Sequence, residues 1–152
     1  MIRGFLALLA AVLIFSGCST LENMGQKHKV KALVEDAVVV VEREGASALP
    51  RLREAPWRDG ELYLFVNALD GIQLFHAITP ENEGKSRLGI TDVNGVLVIE
   101  DMIAIAKTRG SGWTEYHWQN PVSGNVEAKR SYVKAAVMDG REVFVGAGYY
   151  HK

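Results

Sequence analysis

A single cysteine in 152 residues excludes an intrachain disulfide framework and any site built from several thiolates. Net charge is equally scarce. Lys and Arg number 17 against 18 Asp and Glu, a formal charge of -1, so there is no basic field for phosphate-driven binding of nucleic acid. The chain is also short: it has room for one domain with one core and one modest pocket, and not for a TIM barrel or a two-lobed enzyme. Chemical signatures are missing too. Asp92, Asn94, Glu100 and Asp101 cluster near Gly95 without calcium-loop spacing, and His117 and His151 lack ligand partners at metal spacing. No metal or cofactor is therefore expected. Gly146-Ala147-Gly148 has no helix after it and cannot cradle a phosphate, and no Ser stands in a readable arrangement with His and Asp. An enzyme is not expected.

What is present begins at the N-terminus. Arg3 is followed by Gly4 to Phe15 without a charge or an amide, and then by Ser16-Gly17-Cys18. A basic start, an apolar run and small residues before a cut site make a secretory signal, and the run is shorter than the roughly 20 residues that span a bilayer. Ile14-Phe15-Ser16-Gly17-Cys18 resembles the bacterial lipobox, with Phe15 where Leu is commoner. That resemblance implies cleavage after Gly17 and acylation of Cys18, the palmitate-type anchoring of a lipoprotein facing the periplasm. Several acyl chains hold firmly where one binds only marginally. Ser19 after Cys18 is similar to the sorting signal for the outer membrane. The expected organisation is a signal peptide at 1–17, a tether at 18–28 and one domain at 29–152.

Within the domain, Val30, Leu33, Val34, Ala37, Val38 and Val41 recur at helical spacing, with Lys27, Lys31, Glu35, Asp36, Glu42 and Arg43 on the other face. The spacing predicts an amphipathic helix of about 20 residues or more, ended at Gly45. A short helical piece over 46–54 is expected next. Strands are predicted at 61–68 and 72–78 around an Asp70-Gly71 turn, then a long loop over 79–94. Val96, Ile99, Met102, Ile103 and Ala106 predict a second helix. Three more strands follow at 113–118, 126–138 and 141–150, the last two joined by Asp139-Gly140. Segregated helices and tight turns make an α+β fold with an antiparallel sheet.

The segment Gly110-Ser111-Gly112-Trp113-Thr114-Glu115-Tyr116-His117-Trp118, followed by Asn120-Pro121-Val122-Ser123-Gly124 and by Lys129-Arg130-Ser131-Tyr132-Val133, resembles the signature of single Cache domains of the second type. Asp70-Gly71 with Phe75-His76, and Asp139-Gly140 leading to Val145-Gly146-Ala147-Gly148-Tyr149, match the same family. The resemblance covers about 29–150. Gln119, Ala77 and Ala128 stand where the family often has Pro, which touches loop rigidity rather than the fold. The family implies an extracytoplasmic sensor module: a long helix on a five-stranded PAS-like sheet, with a pocket for a small organic ligand, often a short carboxylate such as acetate, propionate or pyruvate.

Such a pocket needs aromatic walls and a few fixed cationic or hydrogen-bonding groups. Strand alternation puts Tyr116 and Trp118 on one face and Glu115 and His117 on the other. By resemblance, His76 and Lys129 hold the charged end and Tyr116, Trp118 and Tyr132 form the cage. The plain alternatives are a core His bonded to backbone, an edge-strand Lys in solvent, and three core aromatics. Tyr63 and Phe65 share a face as further walls, Arg130 lies on the face opposite Lys129, and Trp113 is read as a structural plug. Receptor-type Cache domains sit beside an output domain, which this chain is not expected to contain. The competing readings are therefore an accessory lipoprotein docking on a membrane receptor or transporter, and an extracytoplasmic enzyme.

Overall fold

A computed structural model describes the backbone of residues 14–151 and the side chains of 22–151. Most of the signal peptide expected at 1–17, and the Cys18 side chain at which acylation is expected, lie outside the described residues. Among the described residues no helix is long and apolar enough to cross a membrane.

Helix α1 (Ile14–Glu44) buries Val30, Val34, Ala37, Val38 and Val41 along one face. It stops where expected, because Gly45 adopts φ 62 and a Cβ there would meet Asp139 Oδ1 at 1.8 Å. The same carboxylate accepts the Ala46 N–H at 2.8 Å, fastening the helix end to the last hairpin. Its start lies further upstream than the apolar spacing predicts: residues 18–28, expected as a tether, are helical. Glu22, Met24, Gln26 and Lys27 favour helix, and one Gly25 is too weak a breaker to separate them from the amphipathic stretch. A 3-10 helix, Gly45–Arg53, follows.

The sheet consists of β1 (Leu64–Ala68), β2 (Gln73–His76), β3 (Ser111–Gln119), β4 (Val126–Met138) and β5 (Arg141–Tyr150), with α2 (Val98–Arg109) before β3. Every pairing is antiparallel and the spatial order is β2-β1-β5-β4-β3, the five-stranded PAS-like α+β arrangement expected. Asp139 (φ 51) and Gly140 (φ 78) form the primed turn that matches strand twist, and they set Met138 against Arg141. The first two strands are shorter than the pattern suggested. Leu62 is held outside β1 by its bridge to Asp59, and β2 ends at His76, whose ring Nδ1 accepts the N–H groups of Ile78 and Thr79.

Register divides the sheet into two faces. Trp113 opposes Tyr132, and Tyr116 opposes Lys129. Helix α1 covers the first set: Lys31 lies over the Tyr132 ring at 5.9 Å, Glu35 reaches Lys134 at 4.0 Å and Glu42 accepts the Val137 N–H. Helix α2 covers the start of the second set, where Gly112 leaves room for Ile105. The rest of that face is roofed by the loop from Thr79 to Val98 and is not filled.

Candidate ligand-binding cavity

The unfilled part is a cavity of about 340 Å³. This lies at the small end of the range for ligand pockets. Its floor is the sheet: Tyr63, Phe65, Gln73, His76, Tyr116, Trp118 and Lys129. Its roof comes from the loop and α2, through Thr79, Asn82, Arg87, Ile90, Val93, Val98 and Met102.

Lys129 dominates the chemistry. It is 1% exposed, although it belongs to a strand where alternation alone allowed an outward lysine. The space for its stem comes from Gly148 on the neighbouring strand: a Cβ there would lie 2.8 Å from Lys129 Cε and 2.2 Å from Ser131 Oγ. Gly146 does the same for Phe65, at 2.4 Å. The ammonium lies 3.8 Å from the Tyr63 ring centre and 4.9 Å from that of Tyr150, and it donates to Tyr63 Oη at 2.6 Å. Aromatic faces attract a cation, but they replace only part of its hydration. Burial therefore pulls the Lys129 pKa down to about 7, against a weaker upward pull from Glu61. An ammonium has three donors, and among the described residues one of them is taken.

His76 stands beside this group, its ring 5.1 Å from that of Tyr63. The two backbone N–H groups donated to Nδ1, at 3.2 and 3.0 Å, make that atom the acceptor, so the neutral ring carries its proton on Nε2. Burial first, then the charges of Lys129, Arg87 and Arg53, pull its pKa down to about 3. Its main chain is clamped as well. Arg53 donates to the His76 carbonyl at 2.8 Å, Glu83 accepts the His76 N–H at 2.8 Å, and the two side chains pair with each other at 2.6 Å. The result is a fixed neutral donor beside a buried amine whose charged form lacks most of its hydration.

Tyr116 and Trp118 form the wall, in edge contact at 5.7 Å, with the Tyr116 hydroxyl held by Ser131 at 3.0 Å. Burial raises the pKa of Tyr63, Tyr116 and Tyr150, keeping all three phenols neutral donors or acceptors. The roof carries one carboxylate, Asp92. Its Oδ1 accepts from Asn94 and Val96 N–H, and Oδ2 accepts from His117 N–H, which pins the loop to the edge of β3. These bonds hold its pKa low and leave it little capacity for a ligand.

Four of the five residues expected at the ligand line the cavity: His76, Tyr116, Trp118 and Lys129. Tyr132 does not. It lies under α1, its ring 5.2 Å from Trp113, because odd positions of β4 face the cavity and even ones face the helix. Arg130 shares the Tyr132 face, as expected, and pairs with Glu115 at 2.6 Å. Trp113 packs there too, the plug anticipated for it. Tyr63 and Phe65, expected as further walls, belong to the floor.

Gln73 and Arg87 were not anticipated. Phe65 pairs with His76 and Asn67 with Gln73, so an irregularity between them puts residues three apart on one face. Period-two counting from His76 sends Gln73 to the wrong side. Arg87 comes from an irregular loop, where no periodicity marks direction.

The Cache domain family model matches residues 26–151, and the chain belongs to that family. It is 37% identical over 93 residues to the sensor histidine kinase MctS of Rhizobium johnstonii, covering 61% of this chain and 19% of that protein. It is 27% identical over 92 residues to the methyl-accepting chemotaxis protein McpP of Pseudomonas putida, covering 60% and 16% respectively. The chain thus spans less than a fifth of the length of these curated relatives. Among solved structures it resembles a periplasmic sensor domain of a chemotaxis protein, with TM-score 0.71, 30% identity, and coverage of 93% of this chain and 100% of the other. A Cache chemosensory domain described for carboxylic acid recognition has TM-score 0.66 and 22% identity, with 90% and 98% coverage, a likeness of fold.

Proposed function

We propose that this domain is an extracytoplasmic sensor module, lipid-anchored through Cys18, whose cavity binds a short carboxylate. The observation that carries the reading is Lys129, a cation buried to 1% exposure with one hydrogen bond described from the protein. Burying a charge without a partner is unfavourable, and a carboxylate accepting from Nζ and from His76 Nε2 supplies the partner. Charge-assisted bonds of this kind contribute roughly 1.5–3 kcal/mol each. The aromatic wall covers the rest of a small acid. The carboxylic acid recognition described for one solved neighbour and the periplasmic setting of another agree with this reading.

The test is thermal unfolding of the purified chain with acetate, propionate, pyruvate and lactate in turn. An acid at 100 times its Kd stabilises by about 2.7 kcal/mol, and Lys129→Ala removes the shift. No shift across the panel, with a membrane protein co-purifying, would favour the accessory docking role. Consumption of the acid at catalytic protein concentration would favour an enzyme. The anchor is tested by mass spectrometry of the chain from membranes, with acylated Cys18 expected as its first residue. Cys18→Ser is expected to release the protein to the soluble fraction, and an outer-membrane location predicts co-sedimentation with that membrane.

A further inference from the structure

The cavity is lined by further polar groups besides Lys129 and His76. Arg87 reaches into it from the roof. Its guanidinium is partly desolvated, and among the described residues it has no ion pair and no side-chain hydrogen bond. Its charge, with those of Lys129 and Arg53, disfavours the protonated form of His76, which places it within electrostatic reach of the imidazole. The carboxylates nearby are already engaged: Asp92 by three backbone N–H groups and Glu83 by Arg53 and the His76 N–H.

The floor is polar as well. Gln73 lines the cavity and is 4% exposed; its Oε1 is buried without a partner and, among the described residues, its Nε2 makes no hydrogen bond, which leaves that amide N–H₂ to donate to an anion. Its register partner Asn67 is fully buried with both amide atoms unpartnered. Buried amides without partners are uncommon and unfavourable, so Gln73 on the cavity wall points to a polar occupant, with Asn67 buried behind it.

We infer that Arg87 and Gln73 form a second anchor and that the ligand is a short dicarboxylate, one carboxylate at Lys129 and His76 and the other at Arg87. The inference rests on the carboxylate reading above and narrows its ligand class. A monocarboxylate of equal length would lay its alkyl end against a guanidinium and an unpartnered amide, desolvating both without compensation. A dicarboxylate meets the guanidinium with a planar two-oxygen acceptor that its donor fork matches. Size agrees. At about 30 Å³ per water-sized group, 340 Å³ takes roughly ten such groups, more than the heavy atoms of acetate or propionate.

The experiment is calorimetric titration of the full chain with butyrate and succinate, acids of equal carbon number, in the native protein, Arg87→Ala and Lys129→Ala. Succinate is expected to bind at least about tenfold more tightly than butyrate. Arg87→Ala is expected to erase the preference for succinate over butyrate, chiefly by weakening succinate, and its unliganded melting temperature checks that it folds. Equal affinity for the two acids, or equal weakening of both in Arg87→Ala, would overturn the second anchor. If that happens while Lys129→Ala still abolishes butyrate binding, the carboxylate reading survives alone. If neither acid binds the native chain, both fail together.

Discussion

The two faces of one strand have opposite fates. On β4, Arg130, Tyr132 and Lys134 turn toward α1, where aromatic packing and surface ion pairs fill the space. Lys129, Ser131 and Val133 turn the other way, and there the space is left open around a charge. The two sets are similar in kind: two cations and a hydroxyl-bearing Tyr in the first, one cation and a hydroxyl-bearing Ser in the second. The contrast shows that burial environment, not residue type, decides whether a cation is left short of partners. A cation beside solvent and a carboxylate adds little, whereas a cation enclosed by aromatics is left needing an anion.

The largest effect should come from the helix face. Tyr132→Ala is expected to cost about 3–5 kcal/mol of stability by leaving a void under α1, with ligand affinity unchanged in the folded protein. Denaturant unfolding beside titration calorimetry measures both, and a selective loss of affinity would return Tyr132 to the site.

On the cavity face, Lys129→Met is expected to weaken acid binding by roughly 1.5–3 kcal/mol or more. It should also change the response to pH. The folded pKa lies near 7 and the ordinary value is 10.5, so between the two the unfolded chain holds a proton that the folded chain has released. Stability of the native protein without ligand therefore rises with pH through that window, and this rise disappears in Lys129→Met. Binding runs the other way. A bound carboxylate favours the ammonium, so affinity is full below about pH 7 and declines above it. A flat affinity profile from pH 6 to 9 would separate Lys129 from the ligand.

A smaller cost, about 1–3 kcal/mol of stability, is expected for Gly148→Ala, because the new methyl group collides with Ser131 and with the stem of Lys129. Displacing that stem should also reduce acid affinity, which the same calorimetry reads. Smallest of all, Arg130→Ala removes an exposed pair with Glu115 and should cost under about 1 kcal/mol with no change in binding.

Much of the architecture was legible before any coordinates. The two Asp-Gly turns and the helical spacing from Val30 to Val41 are local signals, and β4 and β5 run where their patterns say. The early start of α1 was less visible, since a polar helix looks like a tether when only apolar periodicity is counted. Within the site, His76 and Lys129 came from a family resemblance rather than from physical reading. Tyr132 was assigned to the cage although period two, applied to Lys129, already excluded it. Gln73 was hidden by an irregular register, Arg87 by a loop, and Gly148 by the fact that an absent side chain leaves no pattern.

The chain has three tryptophans, and they divide between the same environments. Trp113 packs among tyrosines under α1, Trp57 sits against the core, and Trp118 alone lines the cavity, edge-on to Tyr116. An indole so placed makes the protein its own optical gauge. With Trp57 and Trp113 replaced by Phe, the remaining emission comes from the wall of the cavity, and its occupancy can be followed without a label.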